Sequence, residues 1–362
     1  MTFKRIHIFV ALAATFIVLW ATACGAGDST TTVPAAPSTA AADTAATAGA
    51  DPVTKVGAPE VANVDLIMDW VPWVLDIPID VAQEKGFYAD AGLHVTQTLP
   101  AGPTDVVKFV ATGKSQFGLY YAPDMLMGVA EGASLVSVAA LMGHAPVGLA
   151  AGPGVEMKAP KDLVGKTVAV PLIPSTRASY DAMLKVGGVD PASVTLVDPG
   201  FNLVAPLLAG TYDAVAFTEF GELVEAEEIA GEELPYLDFR EWGTPDYAFL
   251  NVITASDFAQ KNPNTVRVFV ETTMAGLAYA AAHPEEAVDI YVARHPELKK
   301  DLLLAQWRAA LPSMATATND TQAGRQDVQA WEALNAWMVE VGLLKQAVDL
   351  GAVVSNEYLA AP

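Results

Sequence analysis

One cysteine, Cys24, stands in 362 residues, so no intramolecular disulfide can form and the fold must rest on its core. Cations are also scarce: 20 Lys and Arg against 42 Asp and Glu give a formal charge of −22. A chain of that sign repels phosphate backbones and anionic lipid heads, which argues against nucleic acid as a partner. Five histidines (His7, His94, His144, His283 and His295) show no His-Glu-x-x-His or Cys/His ligand spacing, so no metal centre is expected. Gly165-Lys166-Thr167 imitates the end of a phosphate-binding loop, but Pro160 occupies the place of the upstream glycine. There is no Gly-x-Ser-x-Gly elbow and no dinucleotide fingerprint after a strand. No cofactor is expected and nothing advertises catalysis. Beyond the first residues, no charge-free apolar run is long enough to span a bilayer.

What the amino terminus does contain is a basic start (Lys4, Arg5), an apolar run from Ile8 to Trp20, and small residues before Cys24. This is the layout of an export signal, and the apolar run is short for a membrane span. Ala21-Thr22-Ala23-Cys24 resembles the lipobox of a bacterial lipoprotein, with Ala21 where Leu is usual. The resemblance implies a signal peptide over 1–23, cleavage before Cys24 and lipid on that cysteine. More than one acyl chain is needed for stable attachment, and lipoprotein processing supplies it. The expected location is the outer face of the cell membrane, in a periplasm or at the cell surface. Residues 24–61 are rich in Ala, Thr, Pro and Gly, with no aromatic to seed a core, and read as a flexible tether spanning roughly 30–35 Å.

From Val64 onward, short apolar runs alternate with amphipathic ones. Strands are predicted at 64–69, 93–99, 116–121, 134–142, 167–172, 194–198, 213–218 and 245–255. Helices are predicted at 80–91, 104–111, 123–131, 177–186 and 203–208. Such alternation implies mainly parallel sheets flanked by helices, and the rest of the chain reads as helical. His283-Pro284 and His295-Pro296 place Pro at first helical positions, which makes both histidines turn residues rather than ligands. The expected α/β architecture is two lobes, 62–150 plus 248–362 and an inserted 151–247, with a helical C-terminal tail. Two chain crossings would act as a hinge, with a ligand cleft at the carboxyl ends of strands.

Asp69-Trp70-Val71-Pro72-Trp73 followed by VAQEKGFYADAGLHV (81–95) resembles the opening of the substrate-binding proteins that deliver thiamine-pyrimidine precursors and related aromatics to ABC importers. The likeness continues through 113–141, 161–175, 209–215 and 241–254. It implies a type 2 periplasmic binding protein fold, a small aromatic heterocycle as ligand, ABC permease and ATPase subunits as partners, and a monomer. Where that family carries a polar run after Pro72, this chain has Trp73-Val74-Leu75-Asp76-Ile77-Pro78, which widens the ligand expectation toward a flavin or an aromatic acid. Sulfonate or nitrate receptors share the implied fold. Related pyrimidine synthases consume their own histidine and need a cysteine-rich segment and iron, and one cysteine does not meet that requirement.

Candidate ligand contacts follow from strand ends and helix starts. Trp70 and Trp73 follow the first strand, where a flat ring can stack on them or where either indole can pack under the next helix; Asp76 lies in the same run. Tyr121 is preferred to Tyr120 because neighbours in an extended segment face opposite ways. Asp124 can accept from an exocyclic amine or favour its own helix start. Ser175, Thr176 and Arg177 open a helix: as caps they are structural, as donors they hold a polar ligand group, and Arg177 suits an anion or a surface acid. Glu219 can pair with an aminopyrimidine edge, and the glutamates from Glu222 to Glu233 read as a solvated helix face. Asp246 and Tyr247, at the second crossing, can close over the ligand or form a turn.

Overall fold

The period-two and continuous apolar runs resolve into strands whose ends converge between two sheets. The computed structural model describes residues 57–102, 105–200, 202–314 and 323–359. The export signal, Cys24 and the tether up to residue 56 lie outside the described residues, as does Thr104. Among the described residues the strands are β1 (Asn63–Ile67), β2 (His94–Thr98), β3 (Phe117–Tyr121), β4 (Leu135–Met142), β5 (Val147–Ala151), β6 (Thr167–Ala169), β7 (Thr195–Val197), β8 (Ala214–Thr218), β9 (Tyr236–Asp238) and β10 (Leu250–Ala255).

They form two five-stranded sheets, β2-β1-β3-β10-β4 and β7-β6-β8-β5-β9. In the first, β1 pairs parallel with β2 and β3, while β10 pairs antiparallel with β3 and β4. In the second, β6 pairs parallel with β7 and β8, while β5 pairs antiparallel with β8 and β9. Each sheet is therefore mainly parallel, with one antiparallel strand, and that strand is the one entered directly after a lobe crossing. β5 and β9 carry no separate sequence expectation, and β5 moves the first crossing from 150/151 to the stretch between Met142 and Val147. Ala145 N–H donates to Asp246 Oδ1 at 3.1 Å, and His144 Nδ1 meets Asp246 Oδ2, so one carboxylate staples the two crossings together.

Core placement follows the apolar pattern. β4, read as LVSVAALM, is buried at every position. The first lobe and the tail share one core, in which Trp307 and Trp331 are fully buried. The second lobe has a core on each side of its sheet. Instead of one helix at 80–91 there are two, Ile77–Glu84 and Phe87–Asp90, because Gly86 adopts φ 77° between them. Helix Ile77–Glu84 lies against helix Pro263–Ala282, and Gly276 permits the approach. A Cβ there would meet Pro78 O at 2.3 Å and Ala82 Cβ at 2.8 Å. That contact fixes the exit of the turn that carries Trp70 and Trp73.

Candidate functional site

The carboxyl ends of the parallel strands β1, β3, β6 and β8 face one another across the gap between the sheets. The amino ends of antiparallel β5 and β10 arrive at the same edges. Between them lies a cavity of about 690 Å³, mouth included. Trp70, Trp73 and Tyr121 line it from the first lobe; Ser175, Thr176 and Phe217 line it from the second; Tyr247 and Phe249 line it from the return crossing.

On the first-lobe side the aromatic rings are held from below by Asp69, which is 1% exposed. Tyr121 Oη donates to Asp69 Oδ2 at 2.7 Å, and Trp73 Nε1 donates to Oδ1 at 3.4 Å. Burial pushes Asp69 up to about 6, against the lowering effect of those two bonds. Trp73 also faces Phe220 of the second lobe, ring centroids 5.5 Å apart. Tyr121 leans on Phe249 at 4.9 Å. Asp76 is not brought to the cavity. It is buried in the first lobe, where Oδ2 accepts from the Trp73 backbone N–H at 3.3 Å and from Tyr291 Oη at 3.2 Å. Burial first, and the Asp69 charge second, hold it well above the usual carboxylate range.

In the second lobe, helix Pro174–Val186 starts three residues before the expected Arg177. Its first turn places Ser175 and Thr176 on the cavity and turns Arg177 outward, where Nε donates to Asp181 at 2.9 and 3.0 Å. Arg177 thus takes the surface-acid role. Glu219 also leaves the cleft: its side chain is exposed and lies 3.8 Å from Arg240 Nη2. Glu222 occupies the cavity wall in its place, one helical turn further on, and accepts from Thr218 N–H at 3.0 Å and from the Thr218 hydroxyl. That residue had been assigned to the solvated face. Asp246 serves the hinge staple rather than the cavity, while its neighbour Tyr247 is buried and lines it. Asp124 sits beside the cavity and accepts from Ser175 Oγ at 2.8 Å, a hydrogen bond that joins the two lobes. Burial raises Asp124 to about 6.

Phe217, Glu222 and Phe249 on the cavity wall, and Asp69 behind its rings, are among the residues that sequence reasoning did not single out. Asp69 stands directly before Trp70 in the motif already quoted, and Phe249 repeats Tyr247 at period two, so both carried a signal. Among the described residues the cavity lining includes one carboxylate, Glu222, and no Lys, Arg or His. Its chemistry is aromatic stacking plus hydrogen bonding through hydroxyls and a carboxylate, suited to an uncharged or cationic flat solute. Among the described residues no helix is long and apolar enough to cross a membrane.

Comparison with known proteins places this geometry. A family model described as NMT1/THI5 like matches residues 76–287. The formylaminopyrimidine-binding protein of Halalkalibacterium halodurans is 26% identical over 288 residues, 79% of this chain and 87% of its own. The riboflavin-binding protein RibY of Chloroflexus aurantiacus is 26% identical over 358 residues, 95% of both chains. The 4-amino-5-hydroxymethyl-2-methylpyrimidine phosphate synthase of Legionella pneumophila is 24% identical over 300 residues, 82% of this chain and 92% of its own. Among solved structures, the periplasmic aliphatic sulphonate binding protein SsuA of Escherichia coli superposes with a TM-score of 0.64 at 14% identity, covering 83% of this chain and 94% of that one. The fold is that of the periplasmic solute-binding proteins, and the chain belongs to the NMT1/THI5-like family.

Proposed function

We propose that this protein is the extracytoplasmic solute-binding component of an ABC importer and that it takes a small aromatic heterocycle, of the aminopyrimidine type, into the interlobe cavity. The observation that carries this reading is the wall of rings contributed by both lobes and the return crossing, set beside Glu222 and, among the described residues, without a cationic side chain. Ring stacking supplies affinity, and the carboxylate and hydroxyls fix orientation. Because both lobes touch the solute, its binding favours the closed arrangement. The reading is of a receptor, supported by the match to the formylaminopyrimidine-binding relative and by Glu222 being engaged by Thr218. The head would be tied to the membrane through lipidated Cys24 and the tether.

A riboflavin-type ligand is the second reading, favoured by the end-to-end match with the riboflavin-binding relative. The test is a thermal-shift series on the purified protein with an aminopyrimidine, riboflavin, an alkanesulfonate and nitrate. Tm is expected to rise with the logarithm of ligand concentration for a ring compound. A response confined to sulfonate or nitrate rejects the proposal.

A further inference from the structure

On the far side of Trp70 and Tyr121 lies a second chamber of about 1470 Å³, mouth included, which the ring-binding reading does not use. The two cavities share Trp70, Tyr121 and Ile173, so a solute lying along that wall faces both. The character of the lining changes across it. The inner cavity is walled by rings. The outer one has Asp69 and Asp124 at its floor, 1% and 7% exposed, with Tyr120 beside them and Lys108, Thr112 and Glu131 at the rim.

Two buried carboxylates at a chamber floor retain some acceptor capacity. Asp69 accepts from Tyr121, Trp73 and its own backbone N–H, and Asp124 from the Ser175 hydroxyl and two backbone N–H groups, which leaves each about one of a carboxylate's roughly four acceptor positions. The opposite-sign rim residues Lys108 and Glu131 do not favour a net anion. A third cavity, near Val71 and Ile229, also adjoins Trp70, but none of its charged lining residues is buried, and Gln306 Nε2 bridges to Gly221 O at 3.0 Å across the lobes there.

We infer that the outer chamber is a second subsite, which receives a hydroxyl- or amine-bearing substituent of the solute while the ring stays in the inner cavity. The inference rests on the ring-binding reading and narrows it: the ligand is a ring with a polar, donor-rich arm. Asp69 and Asp124 accept from the arm, and Tyr120 supplies a further hydrogen-bonding group.

The experiment is titration calorimetry on the full chain in detergent, with two probe pairs that share a ring and differ in the arm. The pairs are lumichrome against riboflavin, and 4-amino-2,5-dimethylpyrimidine against 4-amino-5-aminomethyl-2-methylpyrimidine. In the pair whose ring is accepted, the armed compound is expected to bind at least about tenfold tighter, the size of one good charge-assisted hydrogen bond. Ala111→Trp or Thr112→Trp, both at exposed rim positions, should remove that advantage while leaving bare-ring affinity and Tm unchanged. Equal affinity for armed and bare probes, or an advantage that survives both rim variants, overturns the outer subsite and leaves the ring reading standing. Failure of all four compounds to bind overturns the ring reading, and the subsite with it.

Discussion

At Trp70 the side chain is half-buried on a turn and borders all three cavities, which is the environment of a contact residue rather than a core residue. Stacking of a flat ring on an aromatic side chain is worth about 1–3 kcal/mol, so Trp70→Ala should weaken binding by about 5- to 150-fold. The melting temperature of the ligand-free protein should stay nearly constant; a large loss of apo stability would assign the indole to the core. Asp69, directly before it, is a different kind of residue. Its two donors, Tyr121 and Trp73, belong to its own lobe, so its burial is a property of the folded lobe. Held at about 6 when folded against an ordinary value near 3.8, it keeps its proton in the native state over a range where the unfolded chain releases it. Stability from this group is fully present below about pH 4 and is lost as pH rises through about 6. Buried Asp76 and Asp80, raised in the same direction, add to the same slope. Tm should therefore climb as pH is lowered from neutral toward 5, and Asp69→Asn, whose amide oxygen can accept from Trp73 while its amide nitrogen donates to the Tyr121 hydroxyl, should flatten the climb. An unchanged slope in the variant would show that Asp69 is ionised in the native protein.

Elements were more legible than orientations. Strand ends and helix starts can be read from apolar runs and turn residues, and they put Trp70, Trp73, Tyr121, Ser175, Thr176 and Tyr247 at the cavity. The same cues placed Arg177, Glu219 and Asp246 within one or two residues of it, yet each side chain turns away to another partner. Which way a residue faces at a helix start depends on where the helix begins, and Pro174–Val186 begins three residues earlier than its apolar pattern suggests. Glu222 was hidden in a run of glutamates, where only contact across the cleft distinguishes it. β5 (VGLAA), apolar but only five residues of mostly small side chains, and the three-residue edge strand β9 (YLD) were missed because such short runs do not separate from loop by pattern. Packing of whole elements is likewise invisible locally. Gly276 sits mid-helix, where glycine costs helix stability, and only the closeness of Pro78 explains it. Gly276→Ala should therefore destabilise the protein by about 1–3 kcal/mol, the cost of overpacking, rather than stabilise it through helix propensity. Because helix Ile77–Glu84 anchors the exit of the Trp70 turn, the same variant should also lower ligand affinity. Urea unfolding and calorimetry measure the two effects, and a more stable variant would mean the helices do not approach this closely.

For the molecule as a whole, the informative contacts are those that join the lobes: Ser175 to Asp124, Trp73 to Phe220, and Gln306 to Gly221. These contacts hold the closed arrangement, and only the first is a hydrogen bond between two buried side chains. Opening the cleft returns Asp124 to water and toward its ordinary value; closing it raises the group to about 6. Closure then takes up a proton between about pH 4 and 6, so ligand affinity should increase as pH falls from 7 toward 5. Removing one partner leaves the other buried without its hydrogen bond, a cost of about 1–3 kcal/mol to the closed form alone. Ser175→Ala should therefore speed ligand release about 5- to 150-fold with little change in apo Tm. Ser175 also lines the cavity, so loss of affinity by itself does not identify the latch. A double-mutant cycle does: with Asp124→Ala added, the latch has no orphan left to bury, and the double variant should lose less than the sum of the singles. Strict additivity would mean that Ser175 acts on the solute and Asp124 on something else, and that the lobes are held shut by the ligand and the ring contacts alone.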